Sequence, residues 1–179
     1  MKAEPAIRTT IYPDSQTAEE LVRDYLEIVY TYASRRLPTT VDAEDVVAET
    51  FQAAIQNLQR KRNADTKLWL LGIARRKVAD TLRKRKRRRE DSLQPWLATG
   101  ESLQHDLERA ESVASIRRIV LALPEDQREA LLLQHLEGLS IAEIGIVMGR
   151  SPAAINSLLQ RARKRAFQEG KDYFLEEIS

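Results

Sequence analysis

The chain has 179 residues, 29 Lys and Arg against 27 Asp and Glu, a net charge of +2, no cysteine, and only His105 and His135 as histidines. The lack of cysteine excludes disulfides and cysteine-based zinc sites, and two histidines so far apart argue against a histidine-rich metal centre. Abundant charge, scarce glycine and proline and no alternating β-type runs predict an all-α protein; no apolar run reaches membrane-spanning length and no secretory h-region opens the chain, so a cytoplasmic protein without membrane insertion is expected.

The near-neutral total conceals a segregation. Residues 60–89 hold 14 Lys and Arg with only Asp65 and Asp80, a local charge of +12, so the remainder sums to −10. A band of this kind is suited to a polyanion.

Residues 1–16 show no periodicity and hold Pro5 and Pro13; they read as a flexible N-terminal lead. Thr17-Ala-Glu-Glu is a capping signal that opens a helix to about Leu37, with Leu21, Tyr25, Ile28, Val29, Tyr32 and Ala33 on one face. Tyr25, Tyr30 and Tyr32 read as core and rim packing rather than as a base-stacking platform. After the Pro38-Thr-Thr turn, a second helix is predicted over Asp42–Leu58, burying Val47, Phe51, Ala54, Ile55 and Leu58. Asp45, Glu49, Gln52 and Gln56 recur at steps of three or four and form a polar stripe on the other side. Asp42, Glu44 and Asp45 sit in the first turn. There they stabilise the positive end of the helix dipole or present a docking surface to a protein; a metal site is the weakest reading, for lack of other ligands.

Gln59–Thr66 is a basic loop, with Thr66 expected to cap a third helix from Lys67 to about Arg89. Leu68, Leu71, Ile73, Ala74, Val78 and Leu82 are its packing residues. Gly72 inside it either permits close packing or is incidental. The helix ends in seven consecutive cations, residues 83–89. Such a run is either a solvated face or a phosphate-binding one, and the adjoining basic loop favours phosphate. Residues 17–89 therefore form one predicted helical domain. Residues 90–111 read as a flexible linker, and 112–179 as a second helical domain.

Within that second domain a fourth helix ends near Leu123. Pro124-Glu-Asp-Gln opens a fifth, packing through Leu131, Leu132, Leu133 and Leu136 and stopped by Gly138. The strongest punctuation follows. Ser140 and Glu143 make a capping box before Ile141, Ile144 and Val147; Gly149 ends the helix; Ser151 caps the next, with Pro152 in its first position. Ile155, Leu158, Leu159 and Ala162 would face inward, leaving Asn156, Ser157, Gln160, Arg161, Lys164 and Arg165 outward. Two short helices with such an outer face suit a helix-turn-helix inserting into the major groove, where Arg and Lys reach guanine and Asn and Gln pair with adenine. A solvated basic helix on an ordinary bundle is the plainer alternative.

Five segments together carry a family resemblance. Leu-Pro-Glu-Asp-Gln-Arg-Glu-Ala (123–130), Leu-Glu-Gly-Leu-Ser-Ile-Ala-Glu-Ile (136–144) and Leu-Leu-Gln-Arg-Ala-Arg-Lys-Arg (158–165) resemble region four of sigma-70 factors. Asp-Ala-Glu-Asp-Val-Val-Ala-Glu-Thr-Phe (42–51) resembles region 2.2 of the extracytoplasmic-function group, and Trp-Leu-Leu-Gly-Ile-Ala-Arg-Arg-Lys-Val-Ala-Asp (69–80) resembles regions 2.3 and 2.4. The resemblance implies a sigma initiation factor for bacterial core RNA polymerase that recognises promoter DNA, both as duplex and as a melted strand. By resemblance, Asp45, Val46, Glu49, Gln52 and Gln56 would dock on polymerase. Asn57, Arg60, Lys61, Arg62, Asn63, Lys67, Trp69, Arg75, Arg76 and Arg83 would serve the minus-ten element. Ser151, Asn156, Ser157, Gln160, Arg161 and Lys164 would read the minus-thirty-five element. An anti-sigma partner is implied as well. The sequence departs from the family pattern at Leu71-Gly72, Arg76, Asn156 and Leu158.

Two other readings compete. An autonomous helix-turn-helix regulator would bind a duplex operator as a dimer without polymerase. A nucleic-acid enzyme would need a nucleophile–base pair, a phosphate-cradling glycine loop or a metal cluster; none is evident, so no catalytic residue, metal or cofactor is expected.

Overall fold

The computed structural model describes residues 17–58, 65–90 and 116–176. These form seven helices and no strand: α1 (Ala18–Ser34), α2 (Thr40–Gln56), α3 (Thr66–Glu90), α4 (residues 116–122), α5 (Glu125–His135), α6 (Ile141–Met148) and α7 (Pro152–Glu176). The predicted lead 1–16, the linker beyond Glu90 and residues Arg60, Lys61, Arg62 and Asn63 of the basic loop lie outside the described residues.

Local signals account for most helix starts. Thr17 and Glu20 close a capping box on α1. The backbone N–H and side-chain hydroxyl of Thr17 hold the Glu20 carboxyl below its ordinary pKa. α2 begins two residues earlier than expected because Thr39 is its cap, accepting from the Asp42 backbone N–H at 3.1 Å. α3 is capped by Asp65 rather than by Thr66: Asp65 Oδ1 accepts from the Leu68 N–H at 3.0 Å, and Thr66 is already helical. A carboxylate one residue upstream satisfies the same orphan donor more strongly than a hydroxyl would.

α1, α2 and α3 pack around Leu21, Val29, Tyr32, Val46, Phe51, Leu70, Leu71 and Ala74. Ile55, expected inside, is 42% exposed, whereas Ala54 beside it is fully buried. In the C-terminal half, Leu133, Ile144, Val147, Ile155 and Leu159 are the interior. The four leucines expected to carry α5 divide: Leu133 is buried, Leu131 and Leu132 are half-buried, and Leu136 is 46% exposed. At 100° per residue three consecutive side chains cannot share one face, so Gln127, Ala130 and Leu133 line the inner side instead. The apolar residues of both halves form one continuous cluster, with α3 packed directly on α6.

Candidate nucleic-acid interface

The helix-turn-helix is α6, a tight turn and α7. The Ser140–Glu143 capping box is formed, and the hydrogen bonds from the Ser140 hydroxyl and N–H hold the Glu143 carboxyl below its ordinary pKa. Gly149 ends α6 at φ 64°. The N–H of Arg150 donates to the Gly145 carbonyl at 2.9 Å and that of Gly149 to Ile146 at 3.3 Å, the paired bonds of a Schellman stop. Ser151 Oγ accepts from the Ala154 N–H at 3.3 Å, so this hydroxyl serves first as the cap of α7. Ile155, Leu158, Leu159 and Ala162 are buried, and Asn156, Ser157, Gln160, Arg161, Lys164 and Arg165 are all exposed along one side of α7. Leu158, one of the departures from the family pattern, is therefore a packing residue.

In the N-terminal half α2 displays Asp45, Glu49, Gln52 and Gln56 on its exposed face. Val46 does not share that surface: at 1% exposure it belongs to the core, since it lies 100° around the helix from Asp45. Glu49 is paired with Lys77 of α3 at 2.9 Å.

Between α2 and α3 lies a cleft of about 480 Å³, lined by Ala53, Asn57, Trp69, Ile73, Arg76, Lys77 and Asp80. It brings together three of the residues assigned to the minus-ten element, Asn57, Trp69 and Arg76. Arg83, one turn on, is tied to Asp80 at 2.7 Å. Arg75 and Lys67 lie elsewhere on α3. Arg75 reaches Asp126 of α5 at 3.2 Å, and Lys67 lies close enough to Glu143 of α6 to help lower that carboxyl's pKa. The basic tail is partly anchored, because Arg85 is paired with Asp42 at the start of α2. Lys77, Asp80 and Ala53 join the cleft without a sequence signal. Among the described residues no group of three potential metal ligands comes together, and no helix is long and apolar enough to cross a membrane.

The fold defines a class: an all-α protein in which a three-helix module with an acidic stripe and a cation-lined cleft precedes a helix-turn-helix module. Comparison with known proteins makes it specific. The sigma-70 region 2 profile matches residues 11–88 and the sigma-70 region 4 profile residues 114–165. The ECF RNA polymerase sigma factor BldN of Streptomyces coelicolor is 33% identical over 153 residues, 79% of this chain and 56% of that protein. The ECF RNA polymerase sigma factor SigM of Bacillus subtilis is 29% identical over 153 residues, 83% of this chain and 92% of the relative. Among solved structures, the sigma factor RpoE of Bartonella quintana, in complex with the anti-sigma factor NepR, superposes with a TM-score of 0.65 at 23% identity, covering 86% of this chain and 96% of that one. The chain belongs to the sigma-70 family of RNA polymerase sigma factors, in the extracytoplasmic-function group.

Proposed function

We propose that the chain is a promoter-specificity subunit that carries core RNA polymerase to DNA and helps open it, without catalysing a reaction itself. The observation that carries this is the ordered pair of surfaces: an acidic stripe beside a cation-lined cleft, then an exposed amide- and guanidinium-rich face on the second helix of a helix-turn-helix. The names of its relatives support the same reading. Asp45, Glu49, Gln52 and Gln56 would meet basic residues of polymerase, with Val46 supporting them from beneath. An unstacked base of the minus-ten strand would enter the cleft against Trp69, near Asn57, Arg76 and Lys77, and phosphates would follow Arg83 and the basic tail. Extrusion costs a few kcal/mol, offset by stacking and cationic contacts of about 1–3 kcal/mol per base. Asn156, Ser157, Gln160, Arg161 and Lys164 would read the minus-thirty-five duplex. Two modest DNA contacts on one chain reinforce each other by effective concentration, and polymerase fixes their spacing. The setting is cytoplasmic, and a protein of the anti-sigma type is the regulatory partner to seek.

Run-off transcription with purified core polymerase on genomic fragments, with and without the chain, tests this. Transcripts with discrete starts that appear only when it is added are the expected result. Tight, footprintable operator binding by the isolated chain, with no effect on core polymerase, would replace the proposal with an autonomous regulator.

A further inference from the structure

The cleft between α2 and α3 has apolar walls and a rim whose hydrogen-bonding capacity is defined by the bonds already made there. Ile73 is buried and Trp69 and Ala53 are half-buried, so a flat ring can lie against them. On the rim, Lys77 is committed to Glu49 of α2 at 2.9 Å. The Asn57 side-chain nitrogen donates to the Ala53 carbonyl at 2.8 Å. A carbonyl only accepts, so that bond fixes which way the amide points and leaves Asn57 Oδ1 as an acceptor. Asp80 Oδ1 accepts from Arg83 at 2.7 Å, and its Oδ2 has no partner among the described residues. Among those residues Arg76 is the rim cation without an ion pair, and it is exposed.

The rim therefore offers two open acceptors, one of them on a carboxylate, against one uncommitted guanidinium. Bases differ in how they meet such a set. Adenine, cytosine and guanine each carry an exocyclic amine, a donor, beside at least one acceptor. Thymine carries no amine, and its edge presents carbonyl oxygens on both sides of a single N–H. Laid against Trp69, it would bring a carbonyl oxygen to the Asp80 carboxylate, acceptor against acceptor, with neither group's lost water replaced. A site that hydrogen-bonds a particular donor rejects an analogue lacking it far more strongly than an apolar pocket rejects a change in size. Arg83 already holds the carboxylate, so little ordering is left for the moment of binding.

We infer that Asp80 is a specificity-determining residue that makes the cleft a receptor for a base bearing an exocyclic amine, the amine donating to the carboxylate and a ring acceptor facing Arg76, and that turns thymine away. The inference rests on the proposed entry of an unstacked base into this cleft and adds the chemical class of that base.

Two measurements on the full chain test it. Trp69 and Trp96 are the only tryptophans, so in a Trp96→Phe background the quenching of Trp69 by a stacked base reports the cleft alone. The titrants are oligo-dA, oligo-dC and oligo-dT of about a dozen nucleotides. The chain should take dA and dC at least about fivefold more tightly than dT. Asp80→Asn keeps the shape but lets the amide turn an N–H toward a thymine oxygen, so the gap should shrink to less than about twofold. The second measurement uses holoenzyme made with purified core polymerase, on a promoter mapped by run-off, with every base placed in turn at each minus-ten position. At one position thymine should give the weakest transcription, and Asp80→Asn should raise that template about tenfold relative to the others. Equal quenching titrations for the three oligonucleotides overturn the inference. So does a variant that weakens all bases alike and keeps the thymine gap, which is what a merely structural Asp80 would give. If no promoter is transcribed while the Trp69 titrations show a gap that depends on Asp80, the sigma reading fails and the base class of the cleft stands.

Discussion

Two glycines, Gly72 where α6 packs on α3 and Gly145 beside the turn that follows α6, differ in what their missing Cβ permits. At Gly145 an added Cβ would lie 2.7 Å from the Arg150 carbonyl oxygen, a backbone atom held by the turn it closes. Gly145→Ala should therefore destabilise the protein by about 1–3 kcal/mol, the usual cost of overpacking. At Gly72 the nearest atom is at ordinary contact distance and the residue is mid-helix, so Gly72→Ala should gain about 0.5–1 kcal/mol. Urea midpoints of the two variants should move in opposite directions; a common direction would mean that the approach of the turn is not what demands glycine. Arg36 shows the other way a residue is fixed. Burial works against its charge, yet Tyr32 and the Glu129 and Glu137 carboxylates outweigh burial and raise its pKa above the ordinary value. The Tyr32 phenol is pushed well above its usual range by burial and by the neighbouring Glu129.

Helices carry the proposed recognition surfaces, and their predictions separate protein contact from DNA contact. Asp45 and Glu49 are exposed, and the Glu49–Lys77 pair is exposed enough to contribute only about 0–1 kcal/mol. Asp45→Lys with Glu49→Lys should thus keep its circular dichroism and melting profile while losing core polymerase in co-purification. Retention of polymerase by the folded double variant would move the docking surface off α2. On α7, Gln160→Ala and Arg161→Ala should each cost about 1–3 kcal/mol against one promoter base and relax preference there. Lys164→Ala should instead weaken all sequences alike and reduce the salt slope by about 1. Competition binding over a minus-thirty-five library at several salt concentrations distinguishes these roles.

How far the sequence could be read follows from how far apart partners stand along the chain. The helix-turn-helix was legible because its signals are local: Ser140 to Glu143, Gly149, and Ser151 to Ala154 all act within one turn. The polar stripe of α2 was legible for the same reason. Errors began where two local signals competed, as with Asp65 and Thr66, or where several apolar residues ran together, as in α5. The cleft was only half legible, because Asn57 caps α2 while Trp69 lies in α3, and only packing brings Lys77 and Asp80 to them. The polar contacts between the two halves were not legible at all. Tyr32 and Arg36 meet carboxylates 93–101 positions away, and no periodicity links such pairs.

At the scale of the whole molecule, the two helical modules share one apolar cluster. That sharing has a thermodynamic signature. Modules joined only by a tether open independently, each at its own free energy, whereas modules with a common core lose protection together. Native-state hydrogen exchange should therefore give α3 and α6 nearly the same opening free energy in the unaltered chain. Arg36 is paired with Glu129 and Glu137, each at 3.0 Å; neutralising both leaves its charge desolvated without a counter-charge, so the two modules should part before either unfolds. In that variant α6 should exchange at a lower free energy than α3, with the separation growing as the modules become independent. Unequal protection in the unaltered chain would show that the halves do not open as one unit, and equal protection in the variant that their packing does not depend on those two carboxylates.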